Sequence, residues 1–140
     1  MLDTNVIVAG LRSRNGASAV VLELVAEGRL GLVLSGALLG EYENVLQRPE
    51  HRAAHGLSDD NLVRFLRGLV NRAELVPPRL ERRLVLMRDP DDAAFAEAAI
   101  DGDADHLVTH NLRHFAEVGG MLSVLTPAAL LRLLAGKRRT

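Results

Sequence analysis

The sequence predicts an α/β fold with a mostly parallel sheet of four to five strands, and three observations carry that prediction. Short apolar runs of strand length alternate with longer segments whose apolar residues recur at helical spacing. Turn and cap residues punctuate them: Gly28, Ser35, Pro49, Ser58-Asp59-Asp60 and Pro77-Pro78. The chain has 140 residues, 48% hydrophobic and 25% charged, which is one domain's worth of core in a globular protein. Strands alternating with helices argue for a parallel sheet covered on both faces. A single domain over residues 1–140 is expected.

Taken in order, Leu2 and then Val6-Ile7-Val8 read as a first strand. A polar loop follows from Arg12 to Gly16, and Ala17-Ser18 opens a helix to about Glu27, ended by Gly28. Leu30 to Leu34 reads as a buried strand, and Ser35 caps a helix from Ala37 to Gln47 that Pro49 stops. Ser58-Asp59-Asp60 caps the next helix, whose apolar side is Leu62, Val63, Phe65, Leu66, Leu69 and Val70. Glu74 to Val76 is a short strand, and Leu84-Val85-Leu86 adds extended structure. A helix starts at Asp89-Pro90 and runs to about Ile100, since Pro is tolerated in a first turn. His106-Leu107-Val108 is a strand, Asn111 to Phe115 a helical turn, Leu122 to Leu125 a last strand, and Pro127 to Leu134 a final helix.

Composition excludes several classes of function. Cysteine is absent, so disulfides and thiolate metal sites are ruled out, in keeping with a reducing cytosol. An acid at position 3 stands where a signal peptide has basic and apolar residues, and no apolar stretch reaches membrane-span length. A cytoplasmic protein is expected. The formal net charge is −1, and with no Trp and one Tyr, stacking platforms for single-stranded nucleic acid are scarce. Such a chain suits an RNA substrate only if positive charge is focused around an acidic, metal-loaded site. The basic residues are Arg except for Lys137, and they pair up locally, as at Arg12 and Arg14 or Arg82 and Arg83. No G-x-G-x-x-G or P-loop sequence supports nucleotide binding.

Three acid-bearing stretches stand out: Leu2-Asp3-Thr4-Asn5, Glu41-Tyr42-Glu43-Asn44 and Asp89-Pro90-Asp91-Asp92. Distant carboxylates brought together repel one another unless a cation sits among them. In open α/β sheets the crevice lies beyond the carboxyl ends of the strands. Asp3 fits that rule only if the strand is the part up to Leu2 and the chain after Asp3 turns into a helix. The chain would then begin almost inside its first strand, which points to residues missing upstream. Singly, each acid has a plainer reading: Asp89 and Asp92 as helix caps, Glu41 and Glu43 as solvated helix residues. Tyr42 reads as packing or rim. His110 and His114, four apart, could share a helix face.

Leu2-Asp3-Thr4-Asn5-Val6-Ile7-Val8, Gly16-Ala17-Ser18, Ser35 through Glu41 to Leu46 and Pro49, Arg88-Asp89-Pro90-Asp91-Asp92 with Phe95, Leu107-Val108-Thr109 and Leu125-Thr126-Pro127 together resemble PIN-domain proteins. The resemblance is nearest to the VapC-like toxin components of prokaryotic toxin–antitoxin systems. It implies a three-layer α/β/α fold and a metal-dependent endoribonuclease that hydrolyses RNA with carboxylate-bound Mg²⁺ or Mn²⁺. On that resemblance Asp3, Glu41 and Asp92 match the metal-binding acids, with Asp89 the competitor in its loop and Asp91 behind it. Thr4, Asn5 and Thr109 would support the ligands through hydrogen bonds. The family's fourth acid is missing: its two places hold Asn111 and His114. Asn111 still offers a carbonyl oxygen, and His114 suits Mn²⁺ better than Mg²⁺. A weakened second metal position follows, and with it the alternative of a catalytically weakened RNA- or protein-binding module. The partners implied are RNA, a cognate antitoxin and a second copy of the chain.

Overall fold

Asp3 decides the path of the N-terminal segment. Leu2 makes a single parallel bridge to Val108, and the Asp3 N–H donates to the Val108 carbonyl at 2.8 Å. The Asp3 carboxylate then accepts from the Thr4 N–H at 2.8 Å, capping a helix α1 over Thr4–Arg12. The strand expected at Val6-Ile7-Val8 is therefore corrected: these residues are helical. β-branched residues cost a helix only about 0.5 kcal/mol each, and burial of Val6 and Ile7 in the core outweighs that. Residues 1–78, 87 and 89–138 are described in this computed structural model. The extension expected at Leu84-Val85-Leu86, and with it Arg82, Arg83 and Arg88, lies outside them.

Helix α2, Ala17–Ala26, packs across α1. Gly10 allows the close crossing, because a Cβ there would stand 3.2 Å from the Ser18 carbonyl oxygen. Strand β1, Leu32–Ser35, feeds helix α3, Gly36–Leu46, whose first turn is capped by Ser35 Oγ accepting from the Leu38 N–H at 3.1 Å. Leu38, Tyr42 and Leu46 recur every four residues and are fully buried, so α3 presents a single apolar stripe to the core.

Pro49 does end α3, but it also starts a helix that the sequence reading lacked: α4, Pro49–His55, with Pro in its first turn and Gly56 closing it at φ 67°. His55 ties it down, its Nε2 bonded to the Leu46 carbonyl at 3.0 Å and its Nδ1 accepting from the Leu57 N–H at 2.9 Å.

Helix α5, Asp59–Arg72, is capped by Ser58 as expected, and strand β2, Ala73–Val76, pairs parallel with β1. Helix α6 is Pro90–Asp101, strand β3 Leu107–Val108, and a 3₁₀ segment Leu112–Val118 plants Phe115 and Val118 in the core. Strand β4, Val124–Leu125, pairs parallel with β3, and helix α7, Pro127–Arg138, closes the described chain. This is an α/β fold with parallel strands. Because Leu2 and β3 run parallel, Asp3 and Thr109 leave the sheet from the same edge. No helix among the described residues is long and apolar enough to cross a membrane.

Candidate functional site

At that edge Thr109, fully buried, organises Asp3. Its hydroxyl donates to Asp3 Oδ2 at 2.8 Å and accepts from the Asn111 N–H at 3.0 Å and from Asn5 Nδ2 at 3.3 Å. Asn5 Nδ2 also donates to Asp3 Oδ2 at 3.3 Å, and Asn5 Oδ1 accepts from the His110 N–H at 3.1 Å. One carboxylate thus receives a backbone N–H, a hydroxyl and an amide, and its orientation is set from three sides. Thr4 reaches the other way: its hydroxyl donates to Glu41 Oε2, joining α1 to α3. The residues expected to support the ligands, Thr4, Asn5 and Thr109, all make these contacts.

Tyr42 is fully buried in the core, and its hydroxyl donates to the Leu2 carbonyl, one residue before Asp3. Burial, and then the Asp3 and Glu41 charges, push its phenol well above the usual range. It is a neutral donor that anchors the turn leading into Asp3.

Asp3, Glu41, Asp89 and Asp92 line one cavity of about 640 Å³ with Thr4, Asn5 and His114. Asp89 fills the cap role, its Oδ1 accepting from the Asp91 N–H at 2.8 Å and the Asp92 N–H at 3.5 Å. Asp91 is exposed and outside the cavity. Asp92 turns inward, with a side chain only 17% exposed and His114 Nδ1 at 3.4 Å from Oδ2. Its carboxyl is pushed up to about 6, first by burial and then by Asp89, with Asp3 and Glu41 adding to the rise and His114 opposing it. These acids, far apart in sequence, therefore sense one another across the cavity.

Of the two places where a fourth acid was sought, only His114 is in the cavity wall. Asn111 gives its backbone N–H to Thr109 and starts the 3₁₀ segment, and it is not among the lining residues. His110 and His114 do not act as a pair: His114 faces Asp92, whereas His110 Nε2 lies 2.7 Å from Ser18 Oγ. Among the described residues, no three His, Asp or Glu side chains are grouped closely enough to hold one ion directly between them.

A family model described as the PIN domain matches residues 1–113. The chain belongs to the PIN-domain family. PIN domains are generally nucleases, bind nucleic acid and generally use divalent metal ions. Searches of curated proteins and of solved structures return no significant match.

Besides the apolar Val8, Ala9 and Val45, three basic or imidazole residues outside the expected ligand set line the cavity: Arg12, His51 and His110. His51 reaches the cavity because α4 folds back against α1. The signal for it was Arg48-Pro49-Glu50, where Pro at a first helical position followed by an acid marks a helix start rather than a stop.

Proposed function

We propose that this PIN-domain chain is a metal-dependent endoribonuclease, the toxin of a toxin–antitoxin pair, in which Asp3, Glu41 and Asp92 hold Mg²⁺ or Mn²⁺. The observation that carries the reading is the convergence of Asp3, Glu41, Asp89 and Asp92 on one cavity. The acids offer carboxylate oxygens, which hard divalent cations bind, with the His114 imidazole beside Asp92. Since no three donors among the described residues close on a point, Asp3, Glu41 and Asp92 would hold an ion partly through water, as Mg²⁺ tolerates. Bound in the cavity, such an ion supplies polarisation of the phosphoryl oxygen and a lowered pKa for the attacking water.

The chain's own residues do the rest. Thr109, Asn5 and the Thr4 N–H hold the Asp3 carboxylate in one orientation, and Thr4 holds Glu41. Asp92, at about 6, is mostly ionised at neutral pH, and a cation beside it would favour that ionised form. His114, its Nδ1 3.4 Å from Asp92 Oδ2, would offer its ring as a hydrogen-bond donor to a phosphate. Asp89 is engaged as a helix cap and adds negative charge.

A cytoplasmic location, a single domain over 1–140, a homodimer and a cognate antitoxin belong to the same proposal. The groove between α3 and α5, lined by Leu39, Leu66, Val70 and a half-exposed Val63, supports a protein partner.

A second reading rests on Asn111: with its side chain outside the cavity wall and no acid at 114, the site has three inward acids besides the cap, and a weakened PIN module that binds RNA or protein is the alternative. Incubating the native chain with single-stranded RNA in Mg²⁺, Mn²⁺ or EDTA separates the two. Cleavage in the metal lanes alone supports the ribonuclease, and intact RNA in every lane supports the binding module. His114→Asp should raise cleavage more than Asn111→Asp, because only position 114 lines the cavity.

A further inference from the structure

The lining of the acidic cavity also carries basic and imidazole residues that the metal reading leaves unused. Arg12 from the last turn of α1, His51 from α4 and His110 after β3 line it. Among the described residues none of the three has an ion-pair partner. His110 is the best defined. Its backbone N–H is held by Asn5 Oδ1 at 3.1 Å, and its ring Nε2 by Ser18 Oγ at 2.7 Å. Ser18 is only 3% exposed in the first turn of α2. Nδ1 has no protein partner among the described residues, and the residue is exposed. An exposed side chain with its backbone and one ring nitrogen held loses rotamer freedom without gaining core packing. The arrangement makes sense as a preset donor facing a ligand.

The ligand's chemistry follows from the two sets of lining residues together. The carboxylates suit a hydrated divalent cation, and the guanidinium with two imidazoles suits an anion. A phosphodiester backbone brings a negative charge at each residue and needs both. We propose that Arg12, His51 and His110 form a phosphate-gripping wall for the RNA strand beside the acid cluster, with His110 Nδ1 as its fixed point and Ser18 as a positioning residue. This rests on the RNA-directed reading of the site for the identity of the anion.

The test measures affinity for a fluorescent single-stranded RNA oligonucleotide in EDTA, where hydrolysis does not interfere, across a salt series. Arg12→Ala should weaken binding roughly tenfold and flatten the plot of log K against log salt by about 0.7, the slope of one lost single-strand phosphate contact. His110→Ala should weaken it several-fold, and Ser18→Ala less, with circular dichroism unchanged for each. Arg29→Ala is the control, since Arg29 lies outside the cavity beside Glu27 and should leave both affinity and slope at native values. Native affinity and slope in Arg12→Ala and His110→Ala would overturn the wall, as would a native chain that binds no RNA. RNA binding lost in these variants while the native chain never cleaves upholds the wall and defeats the ribonuclease. Metal-dependent cleavage with affinity unchanged in all variants does the reverse.

Discussion

Replacing Thr109 with Val removes one oxygen atom and keeps the side chain's shape, so it isolates what the hydroxyl does. That hydroxyl donates to Asp3 Oδ2 at 2.8 Å and accepts from the Asn111 N–H at 3.0 Å and Asn5 Nδ2 at 3.3 Å. A hydrogen bond to a charged group is worth about 1.5–3 kcal/mol, and a buried donor left unpaired costs about 1–3 kcal/mol more. The Asp3 carboxylate keeps its bonds from Thr4 and Asn5, and the cavity is open to water, so part of the loss is recovered. The net expected for Thr109→Val is about 2–3 kcal/mol, or roughly 6–12 °C in Tm for a chain of this size. Urea titration followed by circular dichroism gives the free energy directly. Thr109→Ser keeps the hydroxyl and should lose less than about 1 kcal/mol. RNA cleavage by the folded Thr109→Val chain should fall at least tenfold, because Asp3 is then free to turn. If Thr109→Val lies within about 0.5 kcal/mol of native and cleaves normally, the hydroxyl does not organise the site and the reasoning fails.

Asp92→Asn should stabilise the fold at neutral pH and not in acid. Its carboxyl rises from 3.8 to about 6 on folding, so the folded state binds the extra proton between those values. The cost of the ionised form is absent below pH 4, grows through that window and is complete above it. Allowing for its partial exposure, the gain is on the order of 1 kcal/mol at pH 7.5, read from urea midpoints at the two pH values. An equal gain at pH 4 would show that the charge is not the cause. Tyr42→Phe leaves the Leu2 carbonyl without its buried donor and should cost about 1–3 kcal/mol in the same titration. Gly102→Ala should lower stability by about 1–3 kcal/mol, since its Cβ would stand 2.5 Å from Val33 Cγ1 and 2.7 Å from Val76 Cγ2, and both are β-branched strand residues that cannot swing aside. Its RNA affinity should be native, because the crowding is remote from the acidic cavity.

The order of the elements was readable because caps and breakers mark them locally. Ser35, Ser58 and Asp89 each cap the helix they were expected to cap. Val6-Ile7-Val8 was misread because β propensity is local, whereas the helix there is set by Asp3 bonding to Val108, more than a hundred residues away in the chain. The expected acids Asp3, Glu41 and Asp92 do meet in one cavity, Asp3 as the cap of α1, Asp92 from the first turn of α6 and Glu41 from the middle of α3. Asn111 does not, for its backbone is drawn to Thr109. Nor did the sequence disclose Arg12, His51 and His110 as neighbours, because they converge only once α4 and α2 pack on α1.

The central claim is that metal-assisted RNA hydrolysis runs on Asp3, Glu41 and Asp92, and its most direct test is the single-turnover cleavage rate in Mn²⁺ for the native chain, Asp3→Asn, Glu41→Gln and Asp92→Asn. All four must first be shown folded by their urea transitions. The account predicts metal-dependent cleavage by the native chain and a loss of at least a hundredfold in each variant. Native-like rates in folded Asp3→Asn or Asp92→Asn would contradict it.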